Sequence, residues 1–256
     1  MVRSVSHEAI ILRVRPYGEL DQIVTFLTDG AGKLTGIAKA AKHSRRRFAN
    51  CLDPLARVRV HYRPRPGPGL VFMERCDLRR PATVYTDLHR LAYAQYLAEL
   101  VDVITEEAHA VPELFSLLDE ALALLVTGPA SAPLLRAFEL QLLRHAGYQP
   151  NLATCARCRA DTTADTPVVI DLERSSALCA RCAGGVDQPT LFRAQGSTLA
   201  ALERLCQLPL ALAQTQRFDP SLHSEALLIL SGLLAPHLRR PLRSLKVLQQ
   251  LGQSSP

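Results

Sequence analysis

The tetrapeptide Cys-Ala-Arg-Cys occurs twice, at Cys155–Cys158 and Cys179–Cys182, with 20 residues between the pairs. No other feature restricts the chain as tightly. Each CxxC turn presents two sulfurs to one side, and a hairpin-length segment between two such turns brings four together. Zn²⁺ takes four soft ligands of this kind in a tetrahedron. A redox pair would sit in a thioredoxin-like βαβ context, which the flanking residues lack. Closed four-sulfur coordination leaves no position for water, so a metal here is expected to be structural. A zinc deaminase would need HxE followed by PCxxC. The HxE at His223-Ser224-Glu225 instead follows the cysteine pairs, and neither pair is preceded by proline. Cys51, Cys76 and Cys206 stand alone and are expected to be buried as small apolar residues.

Charge divides the chain. Residues 1–80 hold 16 Lys and Arg against 7 Asp and Glu, residues 81–150 hold 3 against 9, and residues 151–256 hold 11 against 8. This asymmetry suggests modules with different partners, the basic end pointing to nucleic acid or anionic lipid. The densest basic run is KAAKHSRRR, with Lys39, Lys42, Arg45, Arg46 and Arg47. No apolar stretch approaches the roughly 20 residues of a membrane span, and the N-terminus lacks the pattern of a signal peptide. A cytoplasmic protein without membrane contact is expected.

Hydrophobic period changes near Pro81. Before it, IVTFLT (23–28) and KLTGIA (33–38) flank the Gly-rich turn 29–32 and predict a hairpin. ARVRVHYR (56–63) alternates, with Arg57, Arg59, His61 and Arg63 on one face and Val58, Val60 and Tyr62 on the other. Several short strands predict a small barrel. After Pro81 the spacing predicts helices over 86–108, from Pro112, and from Pro133 to Ala146 with Gly147 as its cap. Residues 128–133 read as a linker. Helical spacing returns at 198–208, at 224–238 with Ser224 as cap, and at 241–251 with Gly252 at its end. The expected domains are 1–80, the barrel; 81–150, the first helical part; 151–195, a cysteine module; and 196–256, the second helical part. The fold class is α+β and multi-domain.

Catalytic patterns are missing. The chain has no Walker A run, no GxGxxG and no GxSxG. The carboxylate pairs Glu106–Glu107 and Asp119–Glu120 fall on predicted helices, where adjacent side chains diverge by about 100°, so solvated faces are expected. The reading is a binding protein, not an enzyme. A zinc-ribbon nucleic-acid-binding regulator is the alternative, and a nucleic-acid enzyme with a scattered site is a third class.

Three blocks carry a resemblance: EAIILRVRPYGELDQIVTFLTDGAGKLTGIAKAAKHSRRRF (8–48), FELQLLRHAGYQPNLATCARC (138–158) and RRPLRSLKVLQQL (239–251). Together they resemble the RecO family of bacterial DNA repair and recombination proteins. The resemblance implies an N-terminal OB-fold, a mainly helical middle and C-terminal region, and an inserted zinc-finger-like module. It implies binding of single- and double-stranded DNA without sequence preference and annealing of complementary strands. With RecR, and in some pathways RecF, it implies loading of RecA onto strands coated by single-stranded-DNA-binding protein (SSB), and contact with the acidic SSB tail. The expected sites are Lys39, Lys42, Arg45, Arg46, Arg47, Arg57, Arg59 and Arg63 for DNA, and Cys155, Cys158, Cys179 and Cys182 for zinc. Arg239, Arg240, Arg243 and Lys246 are expected at the SSB tail. Localisation would be cytoplasmic, on the nucleoid. Among Tyr17, Phe26, Phe48, Tyr62 and Phe72, the first choice for stacking on a base is Phe48, beside the basic run. The run itself is expected to act as a phosphate clamp.

Overall fold

A computed structural model describes residues 3–65, 67, 69–82, 87–164, 167–184 and 190–253. The fold is α+β, with a closed N-terminal barrel, a helical remainder and a four-cysteine module. By packing, the chain divides into two units, Met1–Thr127 with Arg240–Pro256, and Gly128–Arg239. The four-part division read from sequence follows changes of residue pattern, whereas these units follow packing. The boundary at 127–128 falls where the 128–133 linker begins.

In the first unit, β1 (Val5–Tyr17), β2 (Asp21–Thr28), β3 (Lys33–Ala38), β4 (Arg57–Arg63) and β5 (Val71–Arg80) close in the order β1-β2-β3-β5-β4. The predicted 23–28 and 33–38 hairpin lies within β2 and β3. The alternation read in β4 is also present: Val58, Val60 and Tyr62 are buried, and Arg59 and Arg63 are exposed. The inward side chains, among them Ile11, Val24, Phe26, Val58, Val60, Tyr62 and Met73, fill the barrel. Gly36 belongs to this interior because a Cβ there would lie 2.8 Å from Met73 Cγ. β1 is long enough to serve two neighbours, β2 and β4, and a bulge at Leu12 lets it bend between them.

α1 (Leu88–Ile104), α2 (Pro112–Thr127) and α8 (Ser244–Gln253) complete this unit. Asp87 caps α1 by accepting from Arg90 N at 2.9 Å. α1 stops at Ile104, so Glu106 and Glu107 lie beyond it and not on a helical face. Lys33 explains where α1 docks. Its buried ammonium donates to the carbonyls of Asp102 (2.5 Å) and Thr105 (2.8 Å), and lies 3.4 Å from the Asp102 carboxylate. A cation thus meets the carbonyl end of the helix. α8 is pinned to α1 at its own first turn, where Glu99 accepts from Ser244 N (2.8 Å) and Ser244 Oγ (2.7 Å). Helix α8 runs past the expected stop at Gly252 to Gln253.

In the second unit, α3 (Ala132–His145) packs against α5 (Gly196–Gln207), α6 (Leu210–Gln214) and α7 (Pro220–Leu234). Gly147, at φ +84°, ends α3 as expected, with Gly147 N bonded to Arg144 O and Tyr148 N to Leu143 O. α7 begins four residues earlier than the expected Ser224. Asp219 is its cap, accepting from Leu222 N at 2.9 Å, and Pro220 takes the first helical position. Residues 151–195 carry a three-stranded sheet in the order β7 (Ser176–Cys179), β6 (Pro167–Asp171), β8 (Leu191–Gln195). α4 (Ala180–Ala183) is a single turn between β7 and β8. No described helix is long and apolar enough to cross a membrane.

Candidate nucleic-acid interface and metal centre

The basic run forms a loop stitched to the β1–β2 turn. Asp21 opens β2, and its carboxylate accepts from Ala40 N at 2.8 Å and pairs with Lys39 at 3.4 Å. The Ala40 backbone bond, with Lys39 adding to it, holds the Asp21 carboxyl below the usual carboxylate range. Lys42 reaches across to donate to the carbonyls of Gly18 (3.1 Å) and Glu19 (2.7 Å). Arg47 donates to Lys39 O at 2.7 Å and lies 5.2 Å above the Phe48 ring. Three of the five cations therefore shape the loop. Arg45 and Arg46 are exposed and, among the described residues, have neither an ion pair nor a side-chain hydrogen bond. Phe48 is 4% exposed and belongs to the barrel core, so it presents no face to a base. Its position in sequence beside the arginines concealed its direction.

The outward arginines of β4 have carboxylate partners. Arg57 lies 2.7 Å from Asp119, Arg59 lies 2.8 Å from Glu8, and Arg63 lies 2.5 Å from Glu74. Between the last two, His61 bonds Asp77 at 2.8 Å. Glu8 also approaches Arg79 at 3.5 Å and Arg57 at 3.8 Å. Hydrogen bonds from Ser4 and Arg63 hold the Glu74 carboxyl below its usual range, and His61 does the same for Asp77. Both therefore stay ionised at neutral pH. The sequence pattern places Asp119 on a solvated face. It is instead enclosed by Arg57 and by Arg80, 3.1 Å away. The acidic middle and the basic end are partly each other's partners.

The four cysteines come together as expected. Their sulfurs all lie within 4.8 Å of one another, and Cys158 and Cys179 are 3.6 Å apart. Sulfurs about 2.3 Å from a shared tetrahedral centre would be about 3.8 Å apart, so the set fits a metal ion. Burial pushes the Cys155 thiol up, but backbone N–H groups of Cys158, Cys179 and Arg157 outweigh it and bring it down to about 6. Cys182 is pushed up to about 12 by its bonds to Cys158 and Cys179. Four adjacent thiolates repel one another, and a cation at their centre removes that repulsion. Cys51, Cys76 and Cys206 are buried, as their isolation in sequence suggested.

Two family models match this sequence. Recombination protein O N terminal covers residues 1–82, and Recombination protein O C terminal covers residues 85–246. The chain belongs to the RecO family. The DNA repair protein RecO of Anaeromyxobacter sp. (strain K) is 40% identical over 244 residues, 95% of each chain. The protein of that name from Myxococcus xanthus (strain DK1622) is 34% identical over 249 residues, 96% of this chain and 97% of its own. That of Syntrophotalea carbinolica is 33% identical over 257 residues, 99% of this chain and 97% of its own.

In this RecO chain the C-terminal cations do not form one group. Arg239 ends the second unit, while Arg240, Arg243 and Lys246 belong to the first. Arg240 binds Glu99 (2.7 Å) and Asp102 (3.0 Å), and with Arg13 and Lys33 it makes Asp102 a buried hub. Arg243 and Lys246 are exposed on or beside α8. A cleft of about 320 Å³ is lined by Arg13, Arg240 and Arg243 together with Leu12, Leu55 and Val247. Arg13 and Leu55 had no signal in the sequence pattern, because the bulge at Leu12 and the positive φ of Leu55 set their positions.

Proposed function

We propose that this chain is a recombination mediator. It binds single- and double-stranded DNA without sequence preference, anneals complementary strands, and with RecR helps load RecA onto SSB-coated single strands. Membership of the RecO family along nearly the whole chain, under the name DNA repair protein RecO in its relatives, carries the reading. Arg45 and Arg46, on the loop at the barrel's edge, supply the first DNA contacts. Lys39, Lys42 and Arg47 set the shape of that loop and add charge. Arg57, Arg59 and Arg63 contribute field more than direct contact, since each already has a carboxylate. Phosphate contacts of this sort do not discriminate sequence. Annealing makes and breaks no covalent bond, so a catalytic constellation is not required.

Cys155, Cys158, Cys179 and Cys182 would hold Zn²⁺, which would fix the 151–183 segment and take no part in chemistry. Arg243 and Lys246, with Arg240 behind them, suit the acidic tail of SSB, and the neighbouring cleft offers apolar side chains for its end. Arg239 is the remaining candidate for that contact. RecR, RecA and in some pathways RecF are the expected protein partners, and the work is done in the cytoplasm on nucleoid DNA. The test is annealing of complementary SSB-coated oligonucleotides, using wild type and the Arg45→Glu/Arg46→Glu variant. Wild type should accelerate annealing and the variant should lose most of that acceleration. An inactive wild type, or metal-dependent strand cleavage by it, would contradict the proposal.

A further inference from the structure

The two CxxC turns carry more than metal ligands. In both, the residues between the cysteines are Ala-Arg, and another arginine follows the first turn, giving Arg157, Arg159 and Arg181. All three are exposed. The four sulfurs lie within 4.8 Å of one another, with Cys158 and Cys179 3.6 Å apart, so the two turns share one rim. Arg157 crosses that rim, donating from its guanidinium to Cys182 O at 3.0 Å, beside Arg181. Arg159 and Arg181 have neither an ion pair nor a side-chain hydrogen bond among the described residues.

The carboxylates of the module are engaged elsewhere. Asp161 accepts from Thr163 N (2.7 Å) and Thr163 Oγ1 (2.6 Å), and Asp171 pairs with Arg174 at 3.4 Å by the β6–β7 turn. Arg159 also has φ +60°, in the left-handed region where glycine or asparagine fits with least strain. An arginine there puts a cation on the rim at a backbone position that does not favour it. Four thiolates around a divalent cation leave a negatively charged centre, and Arg157, lying across the second turn, is placed to offset it. Arg159 and Arg181 are left for a ligand from outside the chain. A guanidinium fork matches two phosphate oxygens at once. The exposed neighbours Ala156 and Ala180 are too small to seat an apolar side chain, so a phosphodiester backbone fits this rim better than an acidic peptide with an apolar end.

We propose that Arg159 and Arg181 form a second phosphate-binding site for DNA, carried by the second unit, whereas the Arg45–Arg46 loop belongs to the first. This site rests on the DNA-binding reading above and adds a place that the barrel does not supply. Arg157 is a positioning residue, because its bond to Cys182 O ties the two turns together. With a phosphate contact in each unit, a single chain holds two strands at once, and annealing requires two strands to be held together. The turns, united by their cysteines, bring Arg159 and Arg181 to one rim. Contacts of this kind read no bases.

The test uses the full chain, a thymidine strand of about eight nucleotides, short enough for one site, and a pair of complementary oligonucleotides without SSB. Wild type should bind two thymidine strands per chain at low salt. Arg159→Gln/Arg181→Gln should bind one, and its annealing rate should fall by about 10-fold or more, the scale on which charge alters association rates. Arg159→Lys/Arg181→Lys should recover most of both. In wild type, saturating thymidine strand should slow hydrogen exchange at the amides of 155–160 and 179–184, a readout that needs no variant. One strand per chain in wild type, or amides left unprotected, would overturn the site. So would a glutamine pair that anneals like wild type, or one that sheds metal or unfolds earlier while still binding two strands, since the arginines would then serve the metal centre alone. Protection of these amides by an acidic peptide and not by the strand would overturn the DNA assignment. If Arg45→Glu/Arg46→Glu loses strand binding and the glutamine pair keeps all of it, this site alone falls. If wild type binds no strand, the DNA-binding reading falls with it.

Discussion

Two arginine-rich stretches, KAAKHSRRR and ARVRVHYR, have similar charge in sequence and opposite situations in the fold. In the first, Arg45 and Arg46 face solvent without a partner among the described residues. In the second, every arginine meets a carboxylate from elsewhere in the chain, at 2.7 Å for Arg57, 2.8 Å for Arg59 and 2.5 Å for Arg63. The difference lies in neighbours. β4 is flanked by β1 and β5, which bring Glu8, Glu74 and Asp77, and α2 brings Asp119. Among the described residues the loop has Asp21 alone, already occupied by Lys39 and Ala40 N. Local charge density is thus a poor measure of what remains for a polyanion; unpaired charge is the better one.

Substitutions can order these cations from most structural to most available. Lys33→Ala should have the largest effect on stability, about 2–6 kcal/mol in urea unfolding at about 1–3 for each buried carbonyl left without its donor, while Arg13 and Arg240 remain on the Asp102 carboxylate. Arg57→Ala should cost about 1–3 kcal/mol by the same measurement, because Asp119 loses a charged hydrogen-bond donor. Its effect on the salt slope of DNA binding should be small. Glu8→Gln is expected to act in the other direction: it releases Arg59 and Arg79 while Arg57 stays on Asp119, so DNA affinity should rise and the slope should steepen. No change in the slope would mean that the β4 face lies away from DNA. Arg63→Ala should leave the unfolding midpoint at the wild-type value, because a solvated pair contributes little.

Acid should leave α8 docked until the Glu99 carboxyl protonates. Burial pushes that carboxyl up, but bonds from Ser244 and Arg240 more than offset it and hold it below its ordinary value of 4.5. A depressed folded value means the stabilisation is present above about pH 4.5 and is lost as pH falls through the folded value. Hydrogen exchange of the α8 amides, corrected for its intrinsic pH dependence, should show constant protection from pH 7 to 5. Protection should fall below that window.

Much of this was legible in the residues. The period-two pattern of β4, the Gly-rich turn between β2 and β3, and Gly147 at the end of α3 each act through local geometry, which sequence encodes directly. The two CxxC turns are local as well, and their 20-residue separation suffices to unite them. Partners distant in the chain were not legible. Nothing near Asp119 says that it meets Arg57 and Arg80, and nothing near Lys33 says that it closes α1. Phe48 and Tyr17 show the same limit for direction. Both flank basic or turn residues, yet one fills the core and the other faces solvent, because only barrel closure decides which side is inward. Ser224 yields the capping position to Asp219 for a plainer reason, since Pro220 offers a pre-set first helical residue.

The most direct measurement is the salt dependence of single-stranded DNA affinity for two variants side by side, Arg45→Ala/Arg46→Ala and Arg59→Ala/Arg63→Ala. The first should lower the slope of log K against log salt by about 1.4, near 0.7 for each phosphate no longer neutralised, and the second should change it by much less. An equal or larger fall in the Arg59/Arg63 variant would contradict the assignment of the unpaired loop arginines as the DNA-binding cations.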